Sequence, residues 1–506
     1  MIAKIESAAV IGLNAYPVSV EVDVSSGLPQ LILVGLPDQS IKEAKERVRS
    51  AIKNSGFPFP PEKITINLAP ADIKKEGPAY DLPIALGILT ASGIISSHKL
   101  SDFIILGELA LDGSLRPFKG SLVIAATLKG NKKFLFPPAS AEEAAFERDA
   151  VIYPVNHLRE LVQFLTDEIT ILPIQNKTWN PDVSIHDDLL DFSEVKGQAF
   201  AKRAIEIAVA GGHNILFIGS PGSGKTMLAK RIPSILPPLE FGEAMEITKI
   251  YSVSGLIPKG HSIIRQRPFR FPHHSISTAA LVGGGTIPVP GEISMAHGGV
   301  LFLDEFPEFR RDVLEALRSP LESGEITISR VKMHLTFPAR ILLVTAMNPC
   351  PCGYLSDPRK HCRCSLGQIQ RYQAKVSGPI LDRIDLHIEV PSLTYQTLTD
   401  ETPAESSAMI RARIHSCREV QKSRFPGKIF SLNAFMKPRD LKEFGRADED
   451  GKKLLELAIK ELRLSARGYF KILKVARTIA DLGHSHQITG SHIAEAIQYR
   501  SLDRQW

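Results

Sequence analysis

Three successive patterns of apolar and polar positions divide the chain. In the first part, short apolar runs alternate with turn signals, and residues 18–24 are typical of a strand. Residues 40–53 show helical periodicity, with Ser40 as the predicted N-cap. We therefore predict an α+β domain over residues 1–173, followed by a polar, proline-containing linker over residues 174–191.

The second pattern consists of continuous apolar runs over residues 214–219, 300–303 and 341–345, separated by helical patterns. Such runs are typical of parallel strands that are buried on both faces of a sheet. They predict an α/β nucleotide-binding domain over residues 192–392. The third pattern is mostly helical and predicts a helical C-terminal domain over residues 393–506.

A glycine-rich octapeptide follows the first of these strands and precedes a helical pattern. It matches the P-loop, in which backbone N–H groups and a helix N-terminus surround phosphate oxygens. We expect Lys225 to reach the β- and γ-phosphates and Thr226 to bind Mg²⁺. The predicted nucleotide-binding residues are Gly219, Ser220, Pro221, Gly222, Ser223, Gly224, Lys225 and Thr226.

The second apolar run ends in two carboxylates, Asp304 and Glu305. A pair of acids at the end of a buried strand is the usual partner of a P-loop. We expect Asp304 to hold Mg²⁺ and Glu305 to polarise the attacking water. The alternative is a pair of solvated acids, which the P-loop upstream makes the weaker interpretation.

Charge adds a candidate surface for phosphate. The net charge is +6, from 61 Lys and Arg against 55 Asp and Glu. No acidic residue occurs between Glu246 and Glu292, yet Arg265, Arg267 and Arg270 all lie there. Surfaces of one sign often bind phosphate, but a solvated loop would have the same composition, so charge leaves both interpretations open.

Four of the five cysteines lie within fifteen residues, as Cys350, Cys352, Cys362 and Cys364. Four thiolates on a short loop suit tetrahedral Zn²⁺, although Cys-x-Cys is less common than Cys-x₂-Cys. Unliganded thiols remain the alternative, and a disulfide is disfavoured in a reducing compartment. Cys417 lies on a helical pattern and is expected to be structural.

These motifs together resemble the AAA+ ATPases, and the longer segments are more specific. Residues 267–277 and 290–294 resemble the magnesium-chelatase-like ATPases of the helix-2-insert branch, which also holds the MCM helicases. Residues 348–353, Asn-Pro-Cys-Pro-Cys-Gly, narrow the resemblance to the bacterial YifB/ComM group. The resemblance covers essentially the whole chain. It implies an AAA+ core, an N-terminal Lon-protease-like domain of the S5 type, a C-terminal helical lid and a ring, usually a hexamer.

The resemblance also implies the remaining catalytic residues. Asn348 matches the sensor-1 position, Arg467 matches sensor 2, and Arg383 matches an arginine finger that reaches the γ-phosphate of a neighbouring subunit. Arg371 is a second candidate for that role in trans. The alternative for Asn348 is a turn residue before proline, and the alternative for Arg383 is an ion pair with Asp382 or Asp385 in its own subunit.

For DNA, the resemblance implies that the helix-2 insert and a hairpin over residues 324–335 face the pore of the ring. The cations that would contact phosphate are Arg265, Arg267, Arg270, Arg330 and Lys332. Phe269 and Phe271 offer aromatic faces for stacking, but core packing is the favoured interpretation for them.

The segment that resembles Lon lacks the residues that a peptidase needs. Residues 76–81 resemble the Lon nucleophile region, but Ala79 stands where the serine is expected. No lysine follows Gly120, where Lon places its general base. We expect residues 1–173 to be a non-proteolytic platform.

The predicted function is an ATP- and Mg²⁺-dependent DNA translocase or helicase, acting on single-stranded or branched DNA. The resemblance implies branch migration in recombination or natural transformation, with competence as a possible context. A chelatase-like or chaperone-type motor that remodels a protein partner is the alternative, and a non-enzymatic scaffold is disfavoured by the intact catalytic residues. The composition excludes a disordered chain, and no transmembrane span or secretory start is evident, so we expect a cytoplasmic protein.

Overall fold

The computed structural model of the chain describes residues 2–130, 132–180, 190–258, 260–285, 288–330, 333–355, 357, 360–399, 402, 404–427, 429–462 and 464–500. Two compact units emerge. The first contains Met1–Asn180 and Ala244–Ile264, and the second contains Pro181–Glu243 and Arg265–Trp506. No helix among the described residues is long and apolar enough to cross a membrane.

The first unit is built on a mixed four-stranded sheet with the order β1-β2-β4-β3. Its alternating pattern buries one face, with Val18, Val20 and Val22 of β2 fully buried. Helix α2 is buried along its whole length and packs on this face. A second, parallel sheet has the order β5-β8-β9. The elements of this unit are β1 Ile2–Ile11, β2 Asn14–Ser25, β3 Gln30–Val34, α1 Gln39–Asn54, β4 Lys63–Ala69, α2 Asp81–Ala91, β5 Phe103–Ile105, β6 Glu108–Leu109, β7 Leu115–Arg116, α3 Ser121–Leu128, β8 Lys133–Phe136, α4 Pro138–Ala144, β9 Val151–Pro154 and α5 Leu158–Leu165.

Part of the acid-free stretch belongs to this first unit. Ser252 Oγ donates to Glu143 Oε1 at 2.5 Å, and Lys177 Nζ donates to Ser262 Oγ at 3.2 Å. Leu122 N also donates to the Glu143 carboxylate, and burial raises the pKa of Glu143. Residues 244–264 are therefore fixed by polar contacts to the α+β elements.

The second unit is built on a parallel five-stranded sheet with the order β11-β14-β17-β10-β18. The central strands β10, β14 and β17 are buried at every residue, which is why they read as unbroken apolar runs. Because the strands are parallel, their carboxyl ends meet at one edge. The elements up to the last strand are α6 Ala199–Gly211, β10 Ile215–Ile218, α7 Lys225–Ile235, α8 Phe241–Ser254 (which ends in the first unit), β11 Phe269–Arg270, α9 Thr278–Val282, β12 Gly283–Gly284, β13 Val289–Pro290, α10 Glu292–Met295, β14 Val300–Leu303, α11 Arg311–Ala316, α12 Arg318–Ser323, β15 Glu325–Arg330, β16 Met333–Pro338, β17 Leu342–Met347, α13 Leu366–Gln373, α14 Gly378–Leu381 and β18 Leu386–Glu389.

Helices follow the last strand and share the core of the second unit. Ile414 of α16 and Ile472 of α19 are fully buried in the same apolar cluster as Phe217 of β10. These helices are α15 Tyr395–Thr399, α16 Ser407–Arg424, α17 Pro438–Phe444, α18 Glu449–Leu462, α19 Ala466–Leu482 and α20 Gly490–Gln498.

The predicted mixed α/β class with a parallel sheet is confirmed. The predicted cap of α1 is wrong. Asp38, not Ser40, is the N-cap, and its side chain accepts a hydrogen bond from Ile41 N. An ionised aspartate is as good a cap as serine, and its position two residues earlier starts the helix at Gln39.

Candidate functional site

The glycine-rich loop connects β10 to α7 at the carboxyl edge of the parallel sheet. Gly222 and Gly224 have φ values of 76° and 96°, which a β-carbon would strain, so the glycines permit the tight turn. Ser223 Oγ is buried and has no hydrogen-bond partner among the described residues. An orphaned hydroxyl and a turn of this kind suit a bound phosphate group.

Lys225 begins α7 and turns its side chain back into the loop. Its Nζ donates to the carbonyl oxygens of Gly219 and Ser220 at 2.7 and 2.9 Å. It also donates to Oδ1 of Asn348, the residue that directly follows β17, at 3.2 Å. Burial lowers the pKa of Lys225, while Asp304 opposes that effect. The P-loop lysine and the sensor asparagine therefore share one small polar site.

The next residue connects the loop to strand β14. Thr226 Oγ1 donates to Asp304 Oδ2 at 2.6 Å. Oxygen ligands from a hydroxyl and a carboxylate are the donor set that Mg²⁺ prefers. The two residues that were predicted to hold magnesium thus lie in direct contact, although they are far apart in sequence.

Glu305 follows Asp304 in a left-handed backbone conformation, with φ at 52°. Its backbone N–H donates to Asp304 Oδ1 at 2.9 Å, so the preceding carboxylate fixes this turn. The Glu305 carboxylate is mostly exposed, and its Oε2 lies 3.3 Å from His274 Nδ1. A carboxylate with a defined orientation and access to water suits a general base.

His274 is a residue whose role the motif analysis did not assign. Its ring lies against that of His273, tilted by 35° with ring centroids 4.0 Å apart, and forms an edge-to-face contact with Phe309. The sequence signal was the His-His pair inside the family-like segment 267–277. Nothing in that signal indicated which acid the histidine would contact.

Asn348 and Glu305 line the same cavity of about 390 Å³. Burial raises the pKa of Tyr372 in its wall to about 12, with the Glu308 charge adding to the effect. That phenol therefore keeps its proton at neutral pH. The complete lining is Glu305, Glu308, Asn348, Pro351, Gln368, Arg371, Tyr372 and Lys375.

The two arginines predicted to act at the γ-phosphate meet at a different carboxylate. Arg383 Nη2 lies 2.5 Å from Glu322 Oε2, and Arg467 Nη2 lies 3.4 Å from Glu322 Oε1. Arg467 also lies 3.8 Å from Asp382 Oδ2. Arg383 does form an ion pair in its own subunit, but with Glu322 rather than with Asp382 or Asp385. Among the described residues, neither arginine has a recorded bond to the P-loop.

The four clustered cysteines converge. Cys350 Sγ lies 3.4 Å from Cys352 Sγ and 3.7 Å from Cys362 Sγ, and all four sulfur atoms lie within 4.8 Å of one another. The edge of a ZnS₄ tetrahedron with Zn–S bonds of about 2.3 Å is about 3.8 Å long. Hydrogen bonds from the Tyr354 and Arg363 backbone lower the pKa of Cys352 to about 6, whereas burial raises that of Cys350 to about 12. The donor set fits a tetrahedral metal.

The predicted DNA-binding cations fall into two groups. Arg267 is 6% exposed and forms an ion pair with Glu243 at 2.6 Å. Arg270 forms a bidentate pair with Glu292, with both contacts at 2.6 Å. Arg265 is exposed, and so is Arg330 at the end of β15. Arg267 and Arg270 thus have structural partners, while Lys332 lies outside the described residues.

The two aromatic residues near these cations pack on the sheet. Phe271 stacks on Phe302 of β14 with ring centroids 4.8 Å apart, and Phe269 lies 6.2 Å from the same ring. For Phe269, which packs against the buried cluster, this is the core packing that the sequence favoured. Phe271 remains 46% exposed, with Lys230 Nζ 5.8 Å from its ring centroid.

A parallel sheet, a P-loop, a threonine–aspartate pair and a polar asparagine beside the lysine define a P-loop ATPase of the AAA+ type. Family models agree over most of the chain. The model described as magnesium chelatase, subunit ChlI, matches residues 191–398, a second model of that subunit matches residues 20–140, and the model of its C-terminal part matches residues 404–500.

Individual relatives make the family more specific. The chain is 44% identical over 503 residues to the YifB protein of Escherichia coli, covering 99% of this chain and 97% of the relative. It is 45% identical over 507 residues to the competence protein ComM of Haemophilus influenzae, covering 99% and 98%. It is 22% identical over 377 residues to the DNA replication licensing factor Mcm2 of Drosophila melanogaster, covering 71% of this chain and 36% of the relative. The chain belongs to the YifB/ComM family of magnesium-chelatase-like AAA+ ATPases.

Proposed function

We propose that this protein is a ring-forming ATPase that moves DNA and promotes branch migration during recombination or natural transformation. The observation that carries the proposal is the direct contact of Lys225 with Asn348 and of Thr226 with Asp304. These contacts bring together, within one chain, the side chains proposed for hydrolysis. The competence protein among the relatives and the partial match to a replication factor support DNA as the substrate.

The geometry supports the following hydrolytic roles, which are part of the proposal. Lys225 and the loop N–H groups bind the phosphates, and Thr226 and Asp304 would hold Mg²⁺, which would withdraw charge from the phosphate oxygens when bound. Glu305 accepts the proton of the attacking water, and Asn348 orients that water without adding charge. Arg467 acts as the sensor in the same chain, and Arg383 stabilises the transferring phosphoryl group of a neighbouring subunit in a ring, expected to be a hexamer.

Single-stranded or branched DNA would bind along the hairpin β15–β16 and the loop that carries Arg265. The hairpin carries a polar face, on which Thr327 pairs with Thr336 and Ser329 pairs with His334. Arg330 and Arg265 supply exposed positive charge. A surface that follows the phosphate backbone of any base sequence needs mainly such positive charge and polar groups.

The family models favour one alternative function. Because they describe magnesium chelatase, a motor that remodels a protein partner remains the second candidate. In the described part of the hairpin, the exposed charge of Arg330 is not needed for such a motor, whereas a DNA translocase requires exposed cations.

The architecture completes the proposal. Residues 1–173 would be a Lon-like domain with Ala79 at the nucleophile position and hence no peptidase activity. Residues 174–191 would be a linker, residues 192–392 the AAA+ core, and residues 393–506 the helical lid. The protein would work in the cytoplasm.

The cysteine cluster would hold structural Zn²⁺. Metal analysis of the purified protein should give about one zinc per chain. Cys352→Ser should lose most of that zinc, whereas Cys417→Ala, which changes the separate buried cysteine on α16, should keep it. Wild-type protein with zinc far below one per chain, after growth in zinc-replete medium, would exclude the site.

The central experiment measures ATP hydrolysis with no DNA, with single-stranded DNA and with a four-way junction, at low and moderate salt. We expect DNA to stimulate turnover and salt to weaken that stimulation, because phosphate contacts release counterions. Glu305→Gln should abolish turnover and retain nucleotide binding. Vigorous hydrolysis that no DNA changes would reject the DNA motor and favour a motor acting on a protein partner.

A further inference from the structure

The cavity beside Glu305 is also lined by residues to which the proposed hydrolysis assigns no role. Helix α13 supplies Gln368, Arg371 and Tyr372 to it, and Lys375 follows directly after the helix. Glu305 and Asn348 line the same cavity. Because Asn348 also accepts from Lys225 Nζ at 3.2 Å, the cavity opens next to the lysine that binds the β- and γ-phosphates.

Helix α13 begins with a capping box and is held against the turn at Asn348 through its last residues. Its first turn has a capping box in which Ser365 and Gln368 satisfy each other's backbone N–H groups. At its other end Gln373 Nε2 donates to the carbonyl oxygen of Pro349 at 3.4 Å. Tyr372 forms a hydrogen bond with the backbone of Asn348. The helix therefore has a fixed position relative to the asparagine.

The charges in the cavity are paired with one exception. Lys375 Nζ lies 3.0 Å from Glu308 Oε1, and Glu305 lies against His274. Arg371 donates through Nε to the carbonyl oxygen of Gly367 at 3.0 Å, within its own helix. No ion pair of Arg371 with a carboxylate occurs in the described part of the chain. A guanidinium presents five donors in a rigid fork that matches the oxygens of a phosphate.

We propose that Arg371 binds the terminal phosphate of ATP in its own subunit and thereby distinguishes the triphosphate from the diphosphate. The proposal rests on the ATPase function proposed above and assigns a residue to it. It differs from the role in trans for which the sequence made Arg371 a candidate, because the cavity that Arg371 lines contains the Glu305 and Asn348 of the same chain.

The first test measures equilibrium binding of a fluorescent β,γ-imido analogue of ATP and of the matching ADP analogue, both with Mg²⁺. Arg371→Gln should weaken the triphosphate analogue about tenfold and leave ADP within about twofold, because only the former carries the contacted phosphate. Arg371→Lys should recover part of the loss. Arg439→Gln, which changes an arginine with a 75% exposed side chain on α17, is the matched control and should alter neither affinity.

A second test separates action in the same subunit from action on a neighbour. Arg371→Ala chains are mixed with tagged Lys225→Ala chains, and co-purification establishes that mixed rings have formed. Every site then lacks one group that it needs in its own subunit, so turnover should stay at the sum of the separate chains. Recovered turnover in mixed rings would overturn the proposal and assign Arg371 to the neighbouring site.

Failure of this proposal differs from failure of the ATPase itself. In one outcome the wild-type protein hydrolyses ATP while Arg371→Gln leaves the ratio of triphosphate to diphosphate affinity unchanged. That result would reject the role of Arg371 and leave the ATPase function standing. A wild-type protein that binds neither nucleotide would reject both.

Discussion

At Glu305 the backbone adopts a left-handed conformation that costs a non-glycine residue about 1–3 kcal/mol. The cost is offset locally, since the Glu305 N–H bonds to the Asp304 carboxylate and the carboxylate of Glu305 reaches His274. Glu305 also lines the cavity that contains Asn348. If Glu305 is the base, as proposed above, the contact makes His274 a positioning residue for it.

Replacement of His274 by alanine should lower kcat for ATP about tenfold and leave the KM for ATP nearly unchanged, because the contact that is lost is with Glu305. His274→Gln, which can still donate a hydrogen bond, should retain more activity. The control is His273→Ala, which removes the adjacent ring and no contact with Glu305. Steady-state kinetics on the three variants decide the matter; a rise in KM with constant kcat would contradict the positioning role.

Sequence alone predicted the residues whose chemistry is carried by a short motif. Lys225, Thr226, Asp304 and Asn348 were each predicted at the nucleotide, and their side chains do meet. The contact of His274 with Glu305 was not predictable, because a pairing across 31 positions depends on how a loop returns to the sheet. For the same reason the intrasubunit partner of Arg383 was expected among its neighbours in sequence rather than at Glu322.

At the scale of elements, the acid-free stretch shows what composition leaves undecided. Its first part, residues 247–264, is fixed in the first unit through Ser252 and Ser262, whereas Arg265 and the residues after it belong to the second. One-signed charge predicted a common surface, but Arg267 and Arg270 pair with Glu243 and Glu292, just outside the acid-free residues. A run without acids in sequence is therefore not a run without acids in space.

The hairpin β15–β16 retains the properties expected of a DNA-binding element. Arg330→Ala should weaken binding to single-stranded DNA of any sequence and reduce the slope of log K against log salt by about one, because one phosphate contact is lost. Arg310→Ala removes an exposed arginine that is paired with Asp312 and is the matched control. Fluorescence anisotropy at several salt concentrations gives both numbers. An unchanged slope would exclude Arg330 from the interface.

Two histidines are buried at the junction of β10, β18 and α19. Burial lowers the pKa of His213 to about 4 and that of His387 to about 3, so both are neutral in the folded chain. His213 Nε2 lies 2.7 Å from Thr478 Oγ1 on α19. Because the unfolded histidine binds its proton near pH 6.5, stability is fully present above that pH and falls as the pH drops towards 4.

Each such histidine should contribute a slope of about 1.4 kcal/mol per pH unit within that range. His213→Gln, which has no titrating ring, should reduce the slope for the second unit by the share of one histidine. His415→Gln, which changes an exposed histidine, should leave the slope unchanged. Denaturant unfolding at pH 7, 6 and 5 measures this. Equal slopes for wild type and His213→Gln would show that His213 is not buried neutral.

At the scale of the whole molecule, one chain contains every group that is proposed for the cis side of an ATP site. The candidate trans group, Arg383, is different: its side chain is 12% exposed and is held by Glu322, together with Arg467 on α19. If Arg383 serves a neighbouring site, this ion pair must exchange for a phosphate when the ring forms. The family membership predicts a ring. Only the contact with Glu322 indicates that Arg383 must exchange its partner when that ring forms.

The trans role of Arg383 predicts complementation between two inactive chains. Arg383→Ala keeps its own nucleotide site but offers no finger, whereas Lys225→Ala offers a finger but has lost its site. In mixed rings, an Arg383→Ala site next to a Lys225→Ala chain is complete, so turnover should rise above either chain alone and peak at intermediate ratios. Arg439→Ala, mixed in the same way with Lys225→Ala, should give only the dilution expected of an active chain. If mixtures of Arg383→Ala and Lys225→Ala remain inactive at all ratios while co-purification shows mixed rings, the arginine does not act across the interface. Its contact with Glu322 would then be its structural role, joining α12 to the turn before β18.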